Sequence, residues 1–166
     1  MNRSIRVVLV DDSSPFRDLL RTTLEQMPGF EIVGESSDGI EAIQKIRELN
    51  PDLILLDVGL PHLSGIEVAR HVQTFSTHSI ILFVSQFCDW DIIEHAFRYG
   101  ASGYVVKSDA AAEFVPAVES VRQGMHFIST TAVRHILDEY RRGGPSRMLN
   151  RISGDIARRS AVEPAD

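Results

Sequence analysis

Five short apolar runs recur along the first 125 residues, each followed by a longer amphipathic stretch. The runs are IRVVLV (5–10), EIVGES (31–36), DLILLD (52–57), SIILFV (79–84) and SGYVVK (102–107). Four of them are rich in Val, Ile and Leu with little polar alternation, as in a strand covered on both faces. EIVGES is more mixed and is placed at a sheet edge. The stretches between them carry apolar residues at three- and four-residue spacing, which predicts helices over 15–27, 39–49, 64–74, 90–99 and 110–123. Pro15 suits a first helical position with Ser14 as its cap, and Asp38 caps the second helix. Gly100 and Gly124 end the fourth and fifth. Pro116 lies inside the fifth pattern, where it is expected to shift the start or bend the helix. A sixth helix is expected over 130–141, with Val133, Ile136, Leu137 and Tyr140 on one face.

Repeated strand–helix pairs imply an α/β chain with a parallel sheet between two helical layers. Ligands of such sheets bind beyond the carboxyl ends of the strands, where the strand order reverses. Chemically useful residues should therefore follow the ends of the runs. They do. The first run ends in Asp11 and Asp12, the third in Asp57 and the fifth in Lys107, and Ser85 follows the fourth. Three carboxylates packed together repel one another unless a cation lies among them. A hard divalent cation with oxygen ligands and room for water answers that need, and Mg²⁺ is the natural choice. A metal, a carboxylate and a lysine together also suit a phosphoryl group, and an aspartate can itself be the nucleophile.

The remaining composition narrows the field. The chain has 166 residues and a net charge of -6. Residues 1–140 hold 11 basic and 20 acidic side chains, whereas 141–166 hold six arginines and three acids. An acidic body with a basic tail needs two explanations. With Cys88 as its one cysteine the chain can form no intramolecular disulfide. No run suits a signal peptide or a membrane helix, so a cytoplasmic protein is expected. From Gly143 onward, breakers and arginines outnumber large apolar groups. That segment is expected to be mostly disordered, with room for a transient helix near 147–159.

The stretches VVLVDDSSPFRDLL, SSDGIEAIQKIRELNPDLILLDVGLPHLSGIEVAR and GASGYVVKSDAAAEFVPAVESVRQG span about residues 5–128. They resemble the receiver domain of two-component response regulators, in particular the LuxR/NarL-like type within the CheY-like superfamily. The resemblance implies a flavodoxin-like (βα)5 sandwich with strand order 2-1-3-4-5. It implies that Asp57 accepts a phosphoryl group from a histidine kinase or phosphotransfer protein. Asp12, Asp57 and the Gly59 carbonyl would hold Mg²⁺, with Asp11 acting mainly through water. Lys107 and Ser85 would contact phosphate oxygens. Ser85 and Tyr104 would be the switch pair, and the surface of the fourth helix, fifth strand and fifth helix would answer to them. The residue after the hydroxyl is usually small in this family. Here it is Gln86, whose bulk would narrow access to Asp57. Ser108 and Asp109 are read as a cap for the next helix.

The expected domain limits are 1–128 for the receiver, 129–142 for a helix or linker and 143–166 for the basic tail. Members of this type usually continue into a DNA-binding helix-turn-helix domain. The residues after Ile128 have neither the length nor the apolar pattern for one. The expectation is a phosphoacceptor with a downstream protein partner and with homodimerisation left open. It is not an enzyme acting on a separate substrate, and binding to DNA or membranes is not expected. A LuxR-type transcription regulator whose effector domain is truncated or absent is the alternative. A haloacid dehalogenase-type phosphatase is disfavoured, because Gly59 stands where that family needs a second aspartate. Blander readings exist for single residues. Asp11 or Asp12 alone would suit a cap or a solvated turn. The six histidines show no zinc spacing with Cys88. Phe87 is expected to line the site, Trp90 to pack a helix and the late arginines to solubilise the tail.

Overall fold

The computed structural model describes residues 3–76 and 78–143. The expected tail disorder, the transient helix near 147–159 and the arginines beyond Arg142 lie outside those residues. Six strands and six helices alternate: β1 (Ile5–Val10), α1 (Ser14–Glu25), β2 (Phe30–Ser36), α2 (Gly39–Leu49), β3 (Leu53–Leu56), α3 (Gly65–Phe75), β4 (Ile80–Ser85), α4 (Trp90–Arg98), β5 (Ala101–Val106), α5 (Ala110–Arg122), β6 (Phe127–Ile128) and α6 (Thr130–Arg141). All neighbouring strands are parallel, in the order β2-β1-β3-β4-β5-β6. This is the flavodoxin-like arrangement with one strand added, and β2 is at an edge as its mixed composition predicted.

Strand periodicity sorts the core into two layers. Val8, Val10, Ile54, Leu56, Ile81 and Phe83 face one side, where Ala42 and Ile46 of α2, Val68 and Val72 of α3, and Ile93 of α4 cover them. Val7, Leu9, Leu53, Leu55, Leu82 and Val84 face the other, under Leu20 and Leu24 of α1 and Phe114, Val118 and Val121 of α5. Burying each such side chain contributes roughly 1.5–3 kcal/mol against exposure. The central strands are therefore apolar on both faces because both faces are roofed.

Local details differ from expectation at several points. Ser13 caps α1, its hydroxyl accepting from the Phe16 amide at 3.4 Å, and the expected cap Ser14 is the first helical residue. The helix also closes earlier than predicted, with Gln26 and Met27 amides bonding back three residues to Thr23 and Leu24. Asp38 does cap α2, accepting from the Ile40 and Glu41 amides at 2.7 and 3.2 Å. Pro116 lies inside α5 without moving its start from Ala110.

The C-terminal part holds the larger surprise. β6 has only two residues, too short for any periodicity to register, yet it pairs Phe127 with Gly103 and Ile128 with Tyr104. It takes the sheet edge that β5 would otherwise have. α6 then packs on the side of the sheet covered by α4, through buried Ala132 and half-buried Ile136. Val133, Leu137 and Tyr140, grouped with Ile136 by their spacing, face solvent instead. Ser108 caps nothing: residues 107–109 form a 3-10 turn, and Asp109 points to α6.

Candidate functional site

Register brings the candidate residues to one edge. Val10 pairs with Leu56, Leu56 with Phe83 and Ser85 with Val106. The chain therefore leaves β1, β3, β4 and β5 at nearly the same height, and Asp11, Asp57, Gln86 and Lys107 are the next residues on. Asp11 and Asp57 are buried, at 2% and 4% exposure, and Asp12 is exposed. One carboxylate oxygen from each of the three lies within 4.8 Å of the others. Lys107 Nζ is 2.8 Å from Asp11 Oδ2 and 3.1 Å from Asp57 Oδ2.

The backbone holds these groups in place. The Asp57 amide donates to the Val10 carbonyl at 2.9 Å, tying β3 to β1. The Ser13 amide donates to Asp11 Oδ1 at 2.8 Å, and the Gly59 amide to Asp57 Oδ1 at 3.3 Å. Gly65 opens α3 against the back of the site, where a Cβ would lie 1.9 Å from the Asp57 carbonyl oxygen. A side chain there would drive the helix away from the strand that carries Asp57.

Electrostatics make the site short of positive charge. Burial pushes the Asp11 carboxyl above the usual range, and the Asp57 charge adds to the rise. Lys107 and the Ser13 amide pull it back only in part. Burial also works against the Lys107 charge, but Asp11 and Asp57 outweigh it and the ammonium is held above its ordinary value. Asp11 Oδ2 is buried and is held by the Lys107 ammonium at 2.8 Å. Among the described residues, the Lys107 ammonium pairs with two of the three carboxylates, Asp11 and Asp57. A hard cation with oxygen donors would complete the balance, and this donor set fits one.

Ser85 is fully buried, and its Oγ accepts from the Phe87 amide at 3.3 Å. Tyr104 is fully buried too, stacked on Phe83 with 5.9 Å between ring centroids. Its hydroxyl donates to the Phe87 carbonyl at 2.6 Å. Phe87 lies over Gly59, where a Cβ would be 3.2 Å from its ring, so it lines the site as expected. Gln86 follows Ser85 and is exposed, and Trp90 begins α4 half-buried. His62 turns to Asp38, at a backbone φ of 63°.

Three features had not been anticipated. The Lys107 ammonium sits 4.4 Å from the centroid of Phe16, in the first turn of α1. Ser129, fully buried, receives the Val106 amide on its Oγ at 3.0 Å and gives its own amide to the Tyr104 carbonyl at 2.9 Å. Cys88 has its Sγ 3.2 Å from Nε2 of His135 on α6. Burial raises its thiol pKa, so this thiol is not activated.

The response regulator receiver domain model matches residues 7–119. The chain belongs to the response regulator receiver family. Among relatives of this receiver, the transcriptional regulatory protein DegU of Brevibacillus brevis is 33% identical over 138 residues, 83% of this chain and 58% of DegU. The chemotaxis protein CheY of Halobacterium salinarum is 33% identical over 116 residues, 70% of this chain and 95% of CheY. A solved LuxR-family two-component response regulator from Aurantimonas has a TM-score of 0.77 and 35% identity, covering 82% of this chain and 98% of that one. The receiver thus spans just over half the length of DegU. Its acidic pocket is formed by Asp11, Asp12 and Asp57. Among the described residues, no helix is long and apolar enough to cross a membrane.

Proposed function

We propose that Asp57 is the phosphoacceptor of a two-component signalling switch, with Mg²⁺ as its cofactor. The observation that carries this reading is the convergence of three carboxylates and one ammonium at the strand ends. Asp12, Asp57 and the Gly59 carbonyl are assigned to the metal, and Asp11 to its water shell. When bound, Mg²⁺ would neutralise phosphoryl oxygens that gain charge during transfer. A carboxylate oxygen of Asp57 forms the new bond to phosphorus as the donor's P–N or P–O bond breaks. Lys107 takes one phosphoryl oxygen, exchanging a carboxylate partner for a phosphate one. The Ser85 hydroxyl takes another, giving up its contact with the Phe87 amide. Gln86 stands at the entrance and limits which donors approach.

The donor is assigned as a histidine kinase or phosphotransfer protein in the cytoplasm. The reaction is the protein's own phosphorylation and dephosphorylation, without turnover of a separate substrate. Residues 1–128 are assigned to the receiver, 129–142 to an appended helix and 143–166 to a basic tail. Output runs to a protein partner, and a homodimer is one form it can take. Movement of Ser85 would be felt by Tyr104 through Phe87, which both residues contact. It would then reach α6 through Ser129, bonded to the β5 backbone beside Tyr104.

Mass spectrometry after incubation with acetyl phosphate and Mg²⁺ tests the assignment. The wild-type chain should gain one phosphoryl group and Asp57→Asn none. Equal labelling of the two, or none in the wild type, overturns it.

A further inference from the structure

We propose that Phe16 is a positioning residue of this site: the face of its ring binds the Lys107 ammonium and holds it beside Asp57. The inference rests on the reading of Asp57 as phosphoacceptor. It adds a residue from α1 to a site otherwise built from strand ends.

Lysine carries its charge on a flexible four-carbon stem with three N–H donors. At Lys107 two directions are taken by carboxylates, Asp11 Oδ2 at 2.8 Å and Asp57 Oδ2 at 3.1 Å. The Phe16 ring bounds the ammonium on a further side, with 4.4 Å from Nζ to the ring centroid. That is well inside the roughly 6 Å over which a ring quadrupole attracts a cation. The Lys107 side chain is only 18% exposed, and such contacts strengthen as the cation loses water.

The ring is itself held from behind. The Ser13 hydroxyl accepts the Phe16 amide, Pro15 precedes it, and the side chain packs against the core layer beneath α1 and α5. The same first turn of α1 starts where the Ser13 amide binds Asp11 Oδ1. One short segment thus places both a carboxylate of the pocket and the surface that confines its lysine.

A neutral ring does something the two carboxylates cannot. Asp57 loses negative charge when it bonds to phosphorus, and Asp11 competes with the incoming phosphoryl group for the same ammonium. The ring face changes in neither respect. It keeps the ammonium near the position where a phosphoryl oxygen arrives while the partner changes, and needs no rearrangement to do so.

Shape and electrostatics of a phenyl ring can be varied separately, and this gives the test. Mono-, di- and trifluorinated phenylalanine at position 16 weaken the negative ring face in steps with little change of size. In the full chain, with acetyl phosphate and Mg²⁺, the phosphorylation rate should fall stepwise, by about tenfold at the trifluorinated ring. The Tm should stay level. Phe16→Tyr should keep most of the rate, and Phe16→Leu should fall to the trifluorinated level. By NMR, the Lys107 ε-methylene protons should lie upfield in the wild type and lose that displacement in Phe16→Leu. A flat rate across the fluorinated series, a fall that follows Tm instead, or undisplaced ε-methylene protons each overturn the role of Phe16. A wild-type chain that takes no phosphoryl group overturns the phosphoacceptor reading and this role with it. A labelled wild type with a flat series overturns the role of Phe16 alone.

Discussion

The Tyr104 hydroxyl donates to the Phe87 carbonyl at 2.6 Å, joining the middle of β5 to the loop that follows β4. The phenol is buried, and burial pushes its pKa far up, so it remains a donor at all ordinary pH. Phe87 also gives its amide to Ser85 Oγ. One loop residue therefore connects the proposed phosphate-sensing hydroxyl with the proposed switch aromatic. Tyr104→Phe removes the donor and leaves a half-buried carbonyl without it. Stability should fall by about 1 kcal/mol in urea titration, with phosphorylation retained. Unchanged stability would show that the hydroxyl bond contributes nothing to holding the loop.

Gly65 has no tolerance for a side chain. The Cβ of an alanine would lie 1.9 Å from the Asp57 carbonyl oxygen and 3.0 Å from the Val58 Cα. Both neighbours are backbone, so β3 or α3 has to shift. Gly65→Ala should cost about 3 kcal/mol or more, as overpacking against rigid neighbours does. It should also slow phosphorylation of Asp57, measured on the fraction that remains folded. A Tm within a degree or two of wild type would contradict this account of the α3 start.

Four of the five principal strands were legible because each is roofed on both faces, and a run such as LILL at 53–56 has few other uses; β2 was legible as an edge strand through its mixed composition. The site was legible for a related reason: Asp11, Asp57, Ser85 and Lys107 stand at the ends of those runs, and parallel register leaves them at one edge. What escaped the sequence was contact between distant side chains. Phe16 and Lys107, Asp109 and Thr131, and Cys88 and His135 carry no periodic mark of one another. β6 escaped because two residues have no pattern. Ser13 and Ser14 are the same residue type side by side, and only the hydrogen bond to Phe16 separates cap from helix. The α6 stripe misled because spacing defines a face without saying what covers it. Ile136 found α4, whereas Leu137 found water.

Asp109 fastens α6 to the domain. Its carboxylate accepts from the Thr131 amide at 2.9 Å and the Thr131 hydroxyl at 2.7 Å, while Glu113 accepts from the Thr130 amide at 3.1 Å. Two otherwise unpaired N–H groups at the start of α6 are thus capped from outside. Burial alone would raise the Asp109 pKa, but the Thr131 hydrogen bonds outweigh it and hold it below its ordinary 3.8. A carboxyl depressed in the folded state contributes stability above its unfolded pKa and loses it as pH falls through the folded one. Hydrogen-exchange protection of α6 should therefore be constant above about pH 5 and decline below the ordinary carboxylate pKa. Asp109→Ala should show the reduced protection at every pH, with a loss of about 1 kcal/mol. Wild-type protection in Asp109→Ala would dismiss this anchor.

Gln86 follows Ser85, is exposed, and is proposed to stand at the entrance to the site. Shortening it opens the approach to Asp57 without touching a proposed ligand. Gln86→Ala should label faster with acetyl phosphate, by about threefold if access contributes some 0.6 kcal/mol to the barrier. The measurement is the initial rate at saturating Mg²⁺. An unchanged or slower rate would remove Gln86 from the account of donor choice.

Asp11 is a liability in the metal-free protein. Its carboxyl is held above the ordinary range mainly by burial, with the Asp57 charge adding to it. A carboxyl raised on folding detracts from stability as pH rises through the interval above 3.8, and the penalty is complete once the group is ionised. Asp11→Asn removes that charge and leaves Lys107 its contact with Asp57 Oδ2. Without Mg²⁺ at neutral pH the variant should be more stable than wild type by about 1 kcal/mol, or a Tm higher by roughly 4 °C. Mg²⁺ inverts the relation. An ion that binds only the folded state adds about 2.7 kcal/mol at a hundred times its Kd, and the wild type should collect more of that than the variant. Thermal melts of both proteins with EDTA and with Mg²⁺ supply the comparison. Equal gains from Mg²⁺ in the two would mean that Asp11 has no part in the cation site.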